Sequence, residues 1–484
     1  MKTTRKLLAM VLAVMMVMSL ATTAFAEETK YTITAPADST RTYEVYQIFT
    51  GDYHDKKLSN VVWGANGIGT VGEAVTDEQI KELTDVNTKS DTEKLAVIET
   101  YVNFDSAPIG TVEKDKPLSV DPGYYLIKDN GPVGDGESYS LYIVQVANDI
   151  TISPKVGKVE SGKKVKDTND TDNTVSDWQD AADYDVGDDV PFQLWAKLPE
   201  DYANYTKGYK LTFHDTLSAG LQFNNDVKVY IDGVEITTGF EVVTTGLSDG
   251  CTFEVKFANL KEIDAAEAGS TITVEYTAKL LPDAVSGTAG NPNTSNVTYT
   301  NNPNDEQAGE NGETPEDTVV VFTYDLIVDK VDSDKKPLDG AGFTLYKWDA
   351  SVEGEDKWVA VGAEVKDVTT FEFKKLDEGK YKLVETTVPA GYNKAADIIF
   401  TIESTLTDSE LTNLVVKDVT GATVNDFTVN VDEGKIATDI VNKAGTELPS
   451  TGGMGTTLFY VFGAIMMVGA AVLLVTKKRM ASAE

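Results

Sequence analysis

Tyr381-Lys382-Leu383-Val384-Glu385-Thr386-Thr387-Val388-Pro389-Ala390-Gly391-Tyr392 opens as a β-strand and ends in a Pro/Gly turn. Side chains alternate across a strand, so Tyr381, Leu383 and Glu385 share one face and a carboxylate points where two apolar groups point. Two further residues are in phase with apolar neighbours in the same way: Lys330 with Leu326 and Val328, and Asn442 with Ile440. A buried Lys, Glu or Asn is costly alone. Together they allow a reaction. Burial lowers the amine pKa and raises that of the carboxyl, so both groups can be neutral. The amine can then attack the Asn amide carbon while the acid shuttles the proton, giving a Lys–Asn isopeptide bond and ammonia.

These residues resemble the collagen-adhesin B-type domain, with its Y-x-L-x-E-T-x-x-P-x-G-Y box. The opening of that domain matches Lys330-Val331-Asp332 followed by Pro337-Leu338-Asp339-Gly340-Ala341-Gly342-Phe343-Thr344-Leu345. The resemblance covers 325–443. It implies that Lys330 and Asn442 are joined, with Glu385 as the catalytic carboxylate.

Upstream, short strands are expected at 190–198, 209–214, 227–231, 252–257, 271–281, 294–300 and 319–322, with Gly and Asn turns between them. Strands at that spacing argue a β-sandwich. Lys163 is in phase with Val159 and Val165, Asp215 with Leu211 and Phe213, and Asn293 with Ser295, Val297 and Tyr299. This resembles the A-type variant of the same domain, in which an Asp replaces the Glu. The implied pair is Lys163–Asn293 with Asp215 as shuttle, Lys164 and Asn296 being the off-phase alternatives. The Asp-rich stretch 168–189 includes Asp170, Asp172, Asp188 and Asp189, but its spacing is not that of an EF-hand, and it reads as a solvated acidic loop rather than a calcium site.

The region before residue 155 mixes strands with two helical segments. Capping boxes at Thr76-Asp77-Glu78-Gln79 and Ser90-Asp91-Thr92-Glu93 open the helices. Lys30 and Asn148 are a conceivable crosslink pair there, but no carboxylate motif supports it and no bond is expected.

Both ends of the chain carry targeting signals. Lys2, Arg5 and Lys6 precede an apolar stretch over 7–20 and Ala24-Phe25-Ala26, a secretory signal peptide removed after residue 26. At the other end Leu448-Pro449-Ser450-Thr451-Gly452 is followed by an apolar run over 458–475 and Lys477-Lys478-Arg479. The run is long enough to cross a membrane, with the basic cluster held on the cytoplasmic side. In that order these parts resemble the cell-wall sorting signal of Gram-positive surface proteins, in which a sortase cuts between Thr451 and Gly452 and passes the threonyl group to an amine.

Forty-two Lys and Arg against 78 Asp and Glu, a net charge of −36 over 484 residues, argue against nucleic acid as a partner. Cys251 is the only cysteine, so no intramolecular disulfide forms. With it and two distant histidines, His54 and His214, no zinc constellation and no Ser-His or Cys-His nucleophile is expected. The chain is read as a structural protein without a cofactor or metal, not an enzyme.

One further motif bears on assembly. Ile150-Thr151-Ile152-Ser153-Pro154-Lys155 ends the first domain. It is similar to a degenerate pilin motif, with Ser153 where the usual motif has Tyr, which makes Lys155 the acceptor amine and Lys158 the near alternative. Taken whole, the chain resembles the major, or backbone, subunit of a sortase-assembled Gram-positive pilus. The resemblance implies a mainly β chain of tandem Ig-like, collagen-adhesin-type sandwiches after an α+β-decorated first domain. The divisions are 1–26 signal peptide, 27–155 pilin domain, 156–322 middle sandwich, 323–447 B-type domain and 448–484 sorting signal. The implied partners are identical subunits in a covalent homopolymer, a pilus-specific sortase, minor pilins, peptidoglycan, and host or bacterial surface ligands. The rival reading is a monomeric wall-anchored adhesin that uses the same domains as a stalk.

Overall fold

A computed structural model describes residues 30–54, 57–85, 96–139, 141–146, 148–152, 157–303, 311–424, 426–446 and 455–480. The chain is mainly β, and its sheets fall into three successive groups.

In the first, the long strand Tyr43–His54 pairs with Lys57–Trp63, Gly110–Val112 and Gly123–Asp129. A small sheet sets Tyr31–Thr34 between Leu118–Val120 and Ile150–Thr151. The aromatic residues Phe49, Trp63 and Tyr101 fill the core above the larger sheet. The first capping box forms as expected: Gln79 N–H donates to Thr76 Oγ1 at 3.3 Å and Thr76 N–H to Gln79 Oε1 at 3.1 Å, opening the helix Asp77–Asp85. The chain is helical again over 96–99, but the second box, Ser90–Glu93, lies outside the described residues.

The middle group is a sandwich. Its strand Thr271–Leu280 alternates perfectly, burying Ile272, Val274, Tyr276, Ala278 and Leu280 while the residues between them stay half-exposed. It lies between Asp189–Lys197 and Lys228–Ile231 in one sheet, and Glu160–Val165 joins that sheet at its edge. The facing sheet runs Ala181–Asp183, Asp317–Phe322, Asn291–Thr300, Leu211–Leu217, Phe253–Phe257, Glu241–Val243.

The third group is a second sandwich whose first and last strands are neighbours. Tyr324–Val331 and Lys435–Val441 run parallel, with Lys330 opposite Ile440. The facing sheet is built on Gly342–Trp348 and Gly379–Thr387. A helix Gly455–Met480 ends the described chain, apolar enough over Leu458–Met480 to cross a membrane.

One expectation is overturned. The segment 168–189 is not a solvated acidic loop. It holds the hairpin Thr168–Asn169/Thr174–Val175 and the buried strand Ala181–Asp183, and it docks on the third group of sheets. Small apolar Ala181 and Ala182 let the segment enter the sheet beside Asp317–Phe322. Two of its carboxylates are then neutralised rather than hydrated: the Lys347 ammonium, buried, meets Asp170 at 2.6 Å and Asp185 at 2.5 Å, together with Asp377 of the third group at 2.6 Å. Asp172 and Asp189 stay exposed as read, Asp172 capping the hairpin turn through Thr174 N–H. Asp189 pairs with Lys279 at 3.0 Å.

The first group is also tied to the middle sandwich, through 134–139. Gly136 N–H donates to Glu313 O, Tyr139 N–H to Asn301 O, and the Tyr299 hydroxyl to Glu137 O. Behind this turn the Arg41 guanidinium, almost fully buried, is clamped between Asp129 and Glu137, the latter at 2.5 Å.

Candidate functional site

Each of the two sandwiches buries one set of Lys, acid and Asn. In the middle one, Lys163, Asp215 and Asn293 are all fully buried. Lys163 comes from the edge strand of one sheet. Asp215 and Asn293 come from paired strands of the other, where Asn293 stands opposite Leu217, two residues along from Asp215 on the same inward face. The Lys163 amine contacts Asp215 Oδ2 directly. A fourth residue that alternation did not single out joins them. The Tyr276 hydroxyl donates to Asp215 Oδ2 at 2.9 Å and accepts from Lys163 Nζ at 3.0 Å and from Asn293 Nδ2 at 2.8 Å.

The surroundings favour neutral reactants. Burial pulls the Lys163 amine below its ordinary value and pushes the Asp215 carboxyl above its own, and their mutual attraction does not cancel either shift. Phe192 and Tyr276 wall the amine, each ring centre 5.6 Å away. Lys347 shows the opposite case. It is nearly as buried, yet Asp377, Asp185 and Asp170 outweigh the desolvation and hold it well above the usual lysine range. An amine ringed by three carboxylates stays charged and cannot attack; one facing a single protonatable acid can.

In the C-terminal sandwich Lys330, Glu385 and Asn442 are again buried. Asn442 Nδ2 donates to Glu385 Oε1 at 2.6 Å, and the Ala395 N–H holds Glu385 Oε2 at 2.6 Å. Lys330 Nζ rests on the carbonyls of Val331 and Ile440, 3.0 Å from each, and the Asn442 N–H donates to Val331 O at 3.1 Å. Burial lowers the Lys330 pKa, with Glu385 opposing. The parallel pairing of first and last strands thus brings amine and amide to one end of the sheet.

The off-phase alternatives face solvent. Lys164 is half-exposed on Asp180, and the exposed side of Asn296 meets Glu313. In the first group Lys30 pairs with Asp121 at 3.1 Å and Asn148 is exposed, so neither sits in a buried Lys–acid–Asn set like those of the sandwiches. Lys155 and Leu448-Pro449-Ser450-Thr451-Gly452 lie outside the described residues. Next to the former, Lys158 is exposed and its backbone pairs with that of Glu137, while Gly157 is so close to Asp201 that a Cβ would stand 1.9 Å from its Oδ1.

Strand pairing also gathers side chains that the sequence keeps apart. His214 and Cys251 are distant in sequence, but the strand pairing brings them together with Asp249 and Glu254. A second cluster, Asp170, Asp185, Asp188 and Asp377, surrounds the Lys347 ammonium.

Comparison with known proteins supports this architecture. Residues 324–417 match a family described as a prealbumin-like fold domain, and residues 440–482 match an LPXTG cell wall anchor motif. The trypsin-resistant surface T6 protein of Streptococcus pyogenes serotype M6 is 26% identical over 359 residues, spanning 61% of this chain and 65% of that protein. The chain therefore matches just under two thirds of the length of this curated relative. The solved T6 backbone pilin of serotype M6 Streptococcus pyogenes, described as a modular three-domain structure, has a TM-score of 0.51 at 19% identity, covering 86% of this chain and 98% of that one. This shows a shared fold of tandem sandwiches. The full-length major pilin SpaD from Corynebacterium diphtheriae gives a TM-score of 0.48 at 17% identity, covering 88% and 100%.

Proposed function

We infer that the chain is the shaft subunit of a sortase-assembled, wall-anchored surface pilus, whose load-bearing sandwiches close their own Lys–Asn isopeptide bonds. One observation carries the inference. Both Asn amide oxygens, Asn293 Oδ1 and Asn442 Oδ1, are buried without a hydrogen-bond partner beside a buried Lys and an acid. Each orphaned oxygen costs about 1–3 kcal/mol. Crosslinking relieves that cost, because the new amide oxygen can accept from the protonated acid.

The reaction balances within each set. Lys163 Nζ attacks Asn293 Cγ, forming a C–N bond, while protonated Asp215 polarises the amide oxygen. The proton from the amine passes by way of Asp215 to the Asn nitrogen, which leaves as ammonia. Tyr276 touches all three groups and keeps the amide nitrogen near the acid. In the second set Glu385 already holds the Asn442 amide, and Lys330 has only to swing from the Ile440 carbonyl to the neighbouring side chain. Each bond forms once and regenerates nothing, so the protein is a self-modifying structural subunit and not a turnover enzyme.

In this reading a pilus-specific sortase joins Thr451 of one subunit to Lys155 of the next, and the last subunit goes to peptidoglycan. Tension enters after residue 155 and leaves at 451. It crosses both sandwiches through the bonds Lys163–Asn293 and Lys330–Asn442 and bypasses most of their strands. The first group of sheets lies off that path, and no crosslink is expected in it.

Intact mass of the mature chain tests the chemistry: a deficit of two ammonia molecules is expected, and three would mean an additional bond. Tandem mass spectrometry of fibres identifies the lysine joined to Thr451. Lys155→Ala is expected to abolish the SDS-resistant ladder; a ladder that survives Lys155→Ala and is lost in Lys158→Ala moves the joint to Lys158. The complete absence of a ladder from wild-type cells would favour a monomeric adhesin. Tyr276→Phe is expected to slow closure of Lys163–Asn293 without preventing it, seen as a slow loss of one ammonia after expression. Closure at the parent rate would show that the hydroxyl is only a spectator.

A further inference from the structure

The outer face of the middle sandwich holds a set of side chains that crosslinking and polymerisation leave unused. His214, in the strand Leu211–Leu217, stands directly opposite Glu254 in the strand Phe253–Phe257. Asp249 and Cys251 lie in the turn that leads into the latter. One donor atom from each of the four lies within 4.8 Å of every other. Four ligands around zinc, at bond lengths of about 2.0–2.3 Å, stand roughly 3.3–3.8 Å apart, so small side-chain rotations suffice to close the set.

The imidazole is already oriented. His214 Nε2 is hydrogen-bonded to Thr298 Oγ1 at 2.9 Å, and Nδ1 faces the other donors, 2.6 Å from Asp249 Oδ2 and 3.3 Å from Glu254 Oε1. With the proton on Nε2 donated to Thr298, the Nδ1 lone pair points at the ion position, the arrangement that a neighbouring acceptor imposes on metal-binding histidines. The turn is held as well. Cys251 N–H donates to Asp249 Oδ1 at 3.1 Å, Thr252 N–H to Asp215 O at 2.6 Å, and Leu217 N–H to Thr252 Oγ1 at 3.0 Å, so the cysteine is tied to the strand that carries His214.

We propose that His214, Asp249, Cys251 and Glu254 bind a thiophilic divalent transition-metal ion, zinc foremost. One imidazole nitrogen, one sulfur and two carboxylates suit zinc, whereas calcium takes six to eight oxygens. Lys256, paired with Glu254 and partly exposed, is a resident cation that an incoming ion can displace. The all-oxygen cluster around Lys347 is different, because its centre is filled by a buried ammonium. Binding would staple the 249–252 turn to the sheet through two turn ligands and two strand ligands.

Cobalt(II) is the probe. The full chain, solubilised in detergent and stripped with EDTA, is titrated with Co2+. Saturation at one equivalent is expected, with tetrahedral visible bands and a near-ultraviolet thiolate-to-cobalt charge-transfer band that zinc bleaches. Cys251 is the only cysteine, so the band in the parent protein already assigns the ligand whatever the fate of a variant. Cys251→Ser is expected to lose the charge-transfer band, and His214→Gln to weaken binding at least tenfold. No charge-transfer band in the parent, or one that persists in Cys251→Ser, overturns the proposal.

Discussion

Glu385→Gln is expected to leave Lys330 and Asn442 unjoined, so the mature chain shows a deficit of one ammonia molecule instead of two. The substitution keeps the shape of the side chain and its hydrogen bond to the Ala395 N–H, but it removes the only group that can take and return a proton beside the Asn442 amide. The cost is large because of where the bond sits. Lys330 and Asn442 bracket almost the whole C-terminal sandwich, a loop of about 110 residues, and closing such a loop is worth roughly 5 kcal/mol in the chain-entropy picture. For a domain of ~120 residues that corresponds to a fall of about 15–25 °C in its melting temperature. Glu385→Gln also strands a buried amine, which Lys330→Met does not. If the two variants melt together, the lost crosslink accounts for the fall; a much lower Glu385→Gln points to the stranded amine. A parent-like mass in Glu385→Gln would remove Glu385 from the chemistry altogether.

The two Lys/acid/Asn sets were legible because strand alternation is a local property. Leu326, Val328 and Lys330 lie along one strand face, and so do Tyr381, Leu383 and Glu385; the structure buries all six. The same logic separates Lys163 from Lys164 and Asn293 from Asn296 by a single residue. Alternation does not tell which side chains meet across the two sheets. Tyr276 has the phase of an ordinary core aromatic, in step with Val274 and Ala278, and nothing around it in sequence betrays a hydroxyl shared by three polar partners. The acidic stretch 168–189 failed for a related reason. Its composition reports charge, but the neutralising Lys347 and the receiving Asp377 and Glu378 come from the far sandwich, and contacts at that separation leave no periodic trace. The meeting of His214 and Cys251 is equally hidden, because sequence distance ignores the pairing of Leu211–Leu217 with Phe253–Phe257.

Lys347→Met is expected to be the most damaging single change at the junction of the two sandwiches, and its damage should grow with pH. The ammonium is the shared counter-ion of Asp170, Asp185 and Asp377, and removing one partner from a buried ionic cluster costs about 3–5 kcal/mol. Methionine fills much of the volume, so the loss is electrostatic more than steric. Burial first, and neighbouring carboxylates second, push Asp188 up to about 6 and raise Asp183 and Asp377 above their ordinary values. A carboxyl whose folded pKa lies above its unfolded one binds its proton more tightly when folded. Its junction is therefore most stable in acid and loses stability as pH rises from about 4 through 6 and beyond. Lys347 limits that loss in the parent by attracting the charged forms of Asp188 and Asp377. Without it the carboxylates repel one another unscreened, so Lys347→Met should melt nearer the parent at pH 5 than at pH 8. The junction contacts should also open first: the Lys380 and Asp377 amides, bonded across to Thr171 and Asp185, are expected to lose hydrogen-exchange protection in the variant at pH 8 while the strands around Tyr276 keep theirs. A pH-independent difference would mean that Lys347 acts by packing alone. Loss of protection throughout both sandwiches would mean that the junction is no separate unit, and that the shaft stiffens through its cores and not through this salt-bridged joint.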